Sequence, residues 1–185
     1  MAPEWIGLVV LAGLAGVAAY LFNKLVRLDN LAREAWSGID VQLRRRTDLV
    51  PNLVAAVKAY AAHERALFED LAARRAGSVA ADTVSGQAAA ERALQGSLGR
   101  LLALAEAYPD LKADQNFRKL QDQLAEIEDL LQMARRYYNG TVRDLNVAVH
   151  SVPDLIVARL AGFSPRPFFE IDDGDAVAPQ VEFSR

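Results

Sequence analysis

The chain has 185 residues, of which 52% are hydrophobic and only 8% are aromatic. This length suits one domain, and a composition rich in alanine and leucine favours helices over a β-sandwich, so the sequence predicts an all-α fold. A net charge of -3 excludes a global field that attracts nucleic acid, and the absence of cysteine excludes disulfides and thiolate chemistry.

The first predicted element is a membrane-spanning helix. Residues 5–23 contain no charge, and a helix of that length reaches about 28 Å, close to the hydrocarbon thickness of a bilayer. Trp5 and Tyr20 lie near its two ends, where aromatic rings favour the headgroup region. A cleaved signal peptide is the alternative, but no Lys or Arg precedes the run. Its small residues also lie inside the apolar run rather than after it, where a cleavage site is expected. We therefore expect residues 1–23 to remain as an anchor.

Basic residues follow the predicted span directly. Lys24, Arg27 and Arg33 all lie just after it. Because basic residues are retained on the cytoplasmic side, we expect the chain to have a short N-terminus outside and its body in the cytoplasm.

Small residues recur inside the span at a four-residue spacing. Ala12 and Gly16 form one such pair, and Ala15 and Ala19 form another. Small residues at this spacing let two helices approach closely within lipid. The sequence therefore offers a face for a homo-oligomer, with Gly16 at its centre.

The span is predicted to continue as a stalk. Apolar residues recur there at steps of three and four, which indicates a helix. They are Leu25, Leu28, Ala32, Trp36, Ile39 and Leu43. Thr47 and Asp48 are both good N-cap residues, and Pro51 fits a first helical turn, so a new helix is predicted to begin here.

The basic triplet Arg44, Arg45 and Arg46 would then lie at the tip of the stalk. Three interpretations stay open: a solvated helix C-terminus, an anchor for anionic lipid, or partners for Asp48 and Glu64. A straight stalk puts the triplet about 30 Å from the membrane, several Debye lengths away, which argues against the lipid interpretation.

The second predicted helix carries an apolar seam that Glu64 interrupts. The acid is either held at a helix interface by one of the arginines or reaches solvent at the edge of the seam. Gly77 is predicted to end this helix, with a surface loop to Gly86. A third helix follows and ends before Pro109.

Asp114 is predicted to cap a long helix of more than about 50 Å, which needs partner helices beside it. Pro153 ends that helix, and Gly162 closes a short helix after it. The bundle thus occupies residues 24–162. The rest, residues 163–185, is predicted to dock Phe163, Phe168 and Phe169 on the bundle and then to become mobile.

Polar residues beside the apolar seams are the candidate functional groups, as an interhelical polar network or as a partner groove. They are Asp40, Arg44, Asn52, Glu64, Glu106, Asn116, Glu128, Arg135 and Asn139. No catalytic, cofactor or metal site is predicted. His63 and Glu64 are adjacent, but the zinc-protease pattern needs a second histidine where Leu67 stands.

The chain resembles the LemA family along almost its whole length. The stretches that carry the likeness are AWSGIDVQLRRRTDLVPNLV, VKAYAAHE, LGRLLALAEAYPDLKADQNF, ARRYYN, GFSPRPFFE and PQVEF. The resemblance implies a protein of the bacterial cell membrane with a single N-terminal span and no established enzymatic activity. It also implies a cytoplasmic body built as an up-and-down bundle of three to four long helices.

Three functional hypotheses follow. The first is a non-enzymatic, membrane-anchored scaffold or adaptor that acts through self-assembly. The second is a regulator that binds a specific protein partner, such as a protease or a signalling protein. The third is an enzyme with an unrecognised site that uses Glu64, Glu106 or Glu128.

Overall fold

The computed structural model describes residues 2–170 of the chain, with side chains from residue 5 onward. These residues form helices and no strand, which confirms the predicted all-α fold. The helices are α1 (Ala2–Lys58), α2 (Arg65–Ala80), α3 (Val84–Glu106), α4 (Pro109–Ala113), α5 (Gln115–His150) and α6 (Asp154–Ala161). The predicted mobile end of the tail, residues 171–185, lies outside the described residues.

The two longest helices, α1 and α5, pack side by side and run in opposite directions. Leu25, early in α1, shares a core cluster with Leu145, late in α5. Leu53, late in α1, shares a second cluster with Phe117, early in α5. This pair forms the axis of the molecule, and the 57 residues of α1 extend for about 86 Å.

A hairpin of α2 and α3 packs against the half of α1 that is farther from the apolar run. Leu71 of α2 and Leu101 of α3 belong to the same cluster as Leu53. The single turn α4 leads from α3 into α5. Helices α1, α2, α3 and α5 therefore form the predicted bundle of long antiparallel helices.

Helix α1 continues through Pro51, so the prediction of a new helix at Thr47 or Asp48 is wrong. A proline has no N–H to offer the carbonyl oxygen four residues earlier, which in α1 belongs to Thr47. Arg75 of α2 supplies the missing donor, because its Nε donates to the Thr47 carbonyl oxygen at 2.7 Å. The proline therefore leaves no unpaired acceptor, and the helix is not interrupted.

The chain reverses direction after Lys58, in a turn over residues 59–64. Glu64 lies in this turn, with its side chain 40% exposed and 3.6 Å from His63 Nε2. It is not held at a helix interface by an arginine. Of the two interpretations of Glu64, the structure supports the one in which the carboxylate reaches solvent.

Helix α2 extends through Gly77, which the sequence predicts as its end. It ends at Ala80, and Thr83 starts α3 by accepting a hydrogen bond from Gly86 N at 3.1 Å. The predicted loop from Gly77 to Gly86 is therefore wrong and shortens to residues 81–83. A single capping threonine is enough to begin α3 without a long connection.

Three other helix ends lie where the sequence predicts them. Helix α3 ends before Pro109. The Asp114 side chain accepts hydrogen bonds from Asn116 N at 2.8 Å and from Phe117 N at 2.9 Å, which caps α5. Gly162 ends α6 with a φ of 77°, a left-handed conformation that glycine adopts without strain.

The tail after α6, residues 163–170, lies along α1 and α5. Phe163, Arg166 and Phe169 are turned toward the bundle, whereas the residues between them are exposed. A period of three is the repeat of polyproline II, which the prolines of this segment favour. Three tail residues then advance about 9 Å, which equals the rise of about six residues of an α-helix.

The three phenylalanines that were predicted to dock differ in burial. Phe169 is fully buried, and Phe163 packs against the core as a partly buried ring. Phe168 remains 40% exposed. The docking prediction is therefore confirmed for Phe169 and Phe163 and is wrong for Phe168, because the three-residue repeat turns that ring outward.

Candidate functional site

The most deeply buried ion pair in the described part of the chain lies midway along the bundle. The side chain of Arg46 is 3% exposed and that of Glu91 is 0% exposed. Arg46 Nη1 lies 3.4 Å from Glu91 Oε2, and Arg46 Nη2 lies 3.1 Å from Glu128 Oε2. The arginine comes from α1, and the two carboxylates come from α3 and α5.

Neutral donors hold Glu91 as well. Gln87 Nε2 donates to Glu91 Oε1 at 3.2 Å, and the Ser78 hydroxyl of α2 donates to the same oxygen. Burial raises the pKa of Glu91, although the Ser78 hydrogen bond and the Arg46 charge oppose that shift. We name this group the Arg46 cluster. Its members are Arg46, Ser78, Gln87, Glu91 and Glu128.

The Arg46 cluster suits the fixing of helix register better than catalysis. Ser78 and Glu91 are buried, and the Ser78 hydroxyl is already engaged in a hydrogen bond to the Glu91 carboxylate. No group of three His, Asp or Glu side chains among the described residues is placed to hold a metal ion. The cluster joins four helices, and a shift of any one of them would leave a buried charge without its partner.

Two grooves flank the Arg46 cluster. One of about 280 Å³ opens between α3 and α5, and its apolar lining includes Leu98, Leu102 and Leu124. The other, of about 440 Å³, is lined mainly by polar groups of α1, α2 and α3, among them Asp40 and Arg44. The first suits an apolar side chain, and the second suits polar or charged groups.

The nine residues predicted as a polar network or groove lie in separate parts of the molecule. Asp40 and Arg44 form an ion pair of 2.9 Å on the surface of α1. Glu128 contacts Arg46. Arg46 lies about 18 Å along α1 from the end of that helix, after which the turn with Glu64 begins. Three further members are exposed at other places: Asn52, Glu106 and Asn116.

Asn139, another predicted member, binds the tail. Its Nδ2 donates to the Phe169 carbonyl oxygen at 3.1 Å, and its Oδ1 accepts from Phe169 N at 2.9 Å. The ring of Phe169 then lies against Trp36, with centroids 5.6 Å apart. Arg135 lines a shallow groove beside Asn139 and Phe168. Asn139 therefore holds the backbone of the tail in place.

Asn146 makes the same pair of backbone hydrogen bonds with Arg166, three residues before Phe169 in the tail. It accepts from Arg166 N at 2.8 Å and donates to the Arg166 carbonyl oxygen at 2.9 Å. The Arg166 guanidinium pairs with Asp29 at 2.8 Å. Burial alone would raise the pKa of Asp29, but hydrogen bonds from Arg166 and Arg33 outweigh it and lower the pKa. We name the contacts of Asn139 and Asn146 with the tail the tail clasp.

Sequence reasoning missed Ser78, Gln87 and Glu91, and it gave the arginine triplet other partners. Arg44 and Arg45 are exposed, as a solvated helix surface requires. Arg46 is buried, and its partners are Glu91 and Glu128 rather than Asp48 and Glu64. The missed signal is spacing, because Glu91 precedes Leu94 by three residues and so continues the buried stripe of α3.

The apolar run at the start of α1 is an exposed helix. Every residue from 5 to 20 is exposed, and Trp5 and Tyr20 are 70% and 69% exposed. By length and composition this helix can cross a membrane. No atom lies within 4 Å of the position that a Cβ of Gly16 would take, apart from its own helix backbone and chain neighbours. The anchor residues predicted from the sequence thus lie on an unpacked apolar surface.

Known proteins match this chain over most of its length. The model of the LemA family matches residues 35–183. Magnetosome protein MamQ of Magnetospirillum gryphiswaldense is 26% identical over an alignment of 189 positions, gaps included. The alignment covers 86% of this chain and 70% of the relative. Magnetosome proteins MamQ 1 and MamQ 2 of Paramagnetospirillum magneticum are each 24% identical, over 93% of this chain and 75% of the relative.

The matched range includes both the Arg46 cluster and the tail clasp. Together with the exposed apolar run, these relatives support a membrane-associated helical protein. Because the family model covers most of the sequence, the chain belongs to the LemA family.

Proposed function

We propose that this protein is a non-enzymatic scaffold or adaptor, anchored in the membrane by a single span and assembled through self-association. The observation that carries the proposal is the continuity of α1. The same helix is exposed along its apolar run and then forms the main core of the bundle from Leu21 to Val57. The bundle is thereby joined rigidly to the membrane, without a flexible linker.

The body faces the cytoplasm in this proposal, and the short N-terminus lies outside. Lys24, Arg27 and Arg33 support this orientation, because all three lie in the first few helical turns after the apolar run. All three residues are also exposed, including Lys24 and Arg33, whose charged groups pair with Asp154 and Asp29.

Self-association begins in the span. Ala12 and Gly16 lie on one face of α1, and the surroundings of Gly16 are open to a second helix. Confinement to a membrane raises the effective concentration of neighbouring copies. Because α1 is rigid, contacts between spans and contacts between bundles then reinforce each other.

A regulator of a specific protein partner is the second candidate. The groove between α3 and α5 favours it, because Leu98, Leu102 and Leu124 give the groove an apolar wall beside the Glu128 carboxylate. An enzyme is the weaker alternative. Its proposed carboxylates, Glu64, Glu106 and Glu128, are spread along the bundle rather than gathered at one site.

Mass measurement by light scattering tests the scaffold proposal. We expect the full-length protein in mild detergent to be a homo-oligomer, and the chain without residues 1–23 to be largely monomeric at micromolar concentration. A full-length protein that stays monomeric in several detergents contradicts self-assembly and favours the regulator with a different partner.

A further inference from the structure

Helix α6 packs on α1 at the point where the apolar run ends. Lys24 Nζ donates to Asp154 Oδ2 at 2.9 Å, at the start of α6. Beyond the end of α6, the rings of Phe163 and Phe22 meet edge to face, with centroids 6.0 Å apart. Leu21 is the first buried residue among the described side chains of α1. Helix α6 is therefore level with the last turn of the apolar run.

The outer face of α6 is apolar. Asp154 and Ala158 are buried, whereas Ile156 is 57% exposed and Leu160 is 85% exposed. Val152, just before the helix, is 74% exposed. Leu160 is more exposed than any of the large apolar residues of the run itself. Ile156 and Leu160 are four residues apart and therefore lie on the same face of α6, where they form an apolar stripe.

One basic side chain borders this stripe, and another lies near the end of the apolar run. Arg159 is exposed beside Leu160, and Arg27 is exposed on α1 within one turn of Lys24. The acidic residue of α6, Asp154, is buried in its ion pair with Lys24 and does not oppose them. An apolar face bordered by basic groups is the pattern of a helix that lies in the boundary between lipid headgroups and acyl chains.

We propose that α6 is an interfacial helix whose outer face contacts the lipid bilayer. Ile156 and Leu160 lie in the boundary between headgroups and acyl chains, and Arg159 lies among anionic headgroups. This inference rests on the proposed membrane span of α1. It adds a second contact with the membrane, about 130 residues later in the chain, that fixes the tilt and rotation of the bundle against the surface.

The position of α6 also explains why its apolar face needs no protein partner. The salt bridge to Lys24 and the ring contact with Phe22 hold α6 next to the end of the span. A span that crosses the bilayer therefore carries α6 to the headgroup level. A second copy of the chain would have to reach this surface through the lipid headgroups.

Single-cysteine labelling tests the proposal, because the natural chain contains no cysteine. The full-length variants Leu160→Cys, Leu14→Cys and Val79→Cys each receive an environment-sensitive fluorophore. They are then placed in vesicles of phosphatidylcholine and phosphatidylglycerol that contain lipids with a nitroxide near the headgroup. Val79 is the matched control, an apolar residue that is 65% exposed on α2, away from the span.

We expect the nitroxide lipid to quench the label at Leu160 several-fold more strongly than the label at Val79. Quenching at Leu160 no stronger than at Val79, with the Leu14 label still buried in lipid, overturns the proposal and leaves the span intact. A Leu160 label that is shielded from water but not quenched by lipid also overturns it, because a protein surface then covers α6. A Leu14 label outside the lipid contradicts the span itself.

Discussion

Replacing Arg46 with alanine should lower the free energy of unfolding by about 3–5 kcal/mol, the cost of removing one partner from a buried ion pair. Without the guanidinium, Glu91 keeps a buried carboxylate that only Ser78 and Gln87 hydrogen-bond. Chemical denaturation of the full-length protein in detergent micelles, followed by circular dichroism, measures the loss.

Arg45→Ala is the matched control, because Arg45 is the neighbouring arginine of the same helix and its side chain is 47% exposed. Its loss should cost less than about 0.5 kcal/mol, as for an ordinary surface position. The double variant Arg46→Met with Glu91→Gln should recover much of the lost stability, because no buried charge remains unpaired. Equal effects of the two alanine variants would contradict the buried cluster.

The destabilisation by Arg46→Ala should also grow as the pH rises. Burial already raises the pKa of Glu91 in the folded protein, and removing the Arg46 charge takes away an influence that lowers it. In the folded variant the pKa of Glu91 is therefore raised further, so folded Glu91 keeps its proton to a higher pH than Glu91 of the unfolded chain. The stability of the variant therefore falls as the pH rises above the unfolded pKa near 4.5. Denaturation of both proteins at several pH values measures the difference.

Replacing Phe169 with alanine should cost about 3–5 kcal/mol, the usual range for a phenylalanine removed from a core. Phe169 is fully buried, it contacts Trp36, and Asn139 holds its backbone from both sides. Loss of the ring should release the tail from the clasp. The fluorescence of Trp36, measured in a Trp5→Phe background so that it is the remaining tryptophan, reports that release.

The neighbouring residue provides the control. Phe168 is 40% exposed and lies outside the three-residue repeat of the tail, so Phe168→Ala should cost about 1 kcal/mol or less. If the two variants lose stability equally, the tail does not dock through every third residue, and the proposed polyproline II repeat is wrong.

Local sequence signals predicted the helix ends that depend on one residue. Asp114 and Gly162 act at the ends of their own helices, through a side-chain acceptor and a left-handed backbone, so no distant contact changes their effect. Burial was also predictable where the apolar spacing is regular, as it is for Ile39 and Leu131.

Pro51 was mispredicted because its effect depends on another helix. From the sequence, Thr47 and Asp48 before a proline indicate a helix start. The carbonyl oxygen that Pro51 leaves without a donor is satisfied by Arg75, which is distant in sequence. No local pattern contains that contact, so the sequence alone does not reveal that α1 continues.

The Arg46 cluster was only partly accessible from the sequence. Arg46 lies three residues after Leu43 and four before Val50, both of which are buried, so the spacing alone places it in the core. Its polar character suggested a helix tip instead. The identity of its partners was not predictable, because Glu91 and Glu128 come from two other helices whose register is a property of the fold.

Disulfide formation between spans in native membranes tests the central claim most directly, namely that this anchored bundle assembles through its own span. The cysteine-free chain allows Gly16→Cys and Leu14→Cys to be compared, and these positions lie about 200° apart around the helix. We predict that oxidation links Gly16→Cys into a dimer and leaves Leu14→Cys mainly monomeric. Equal crosslinking at both positions, or none at either, would contradict assembly through the small-residue face.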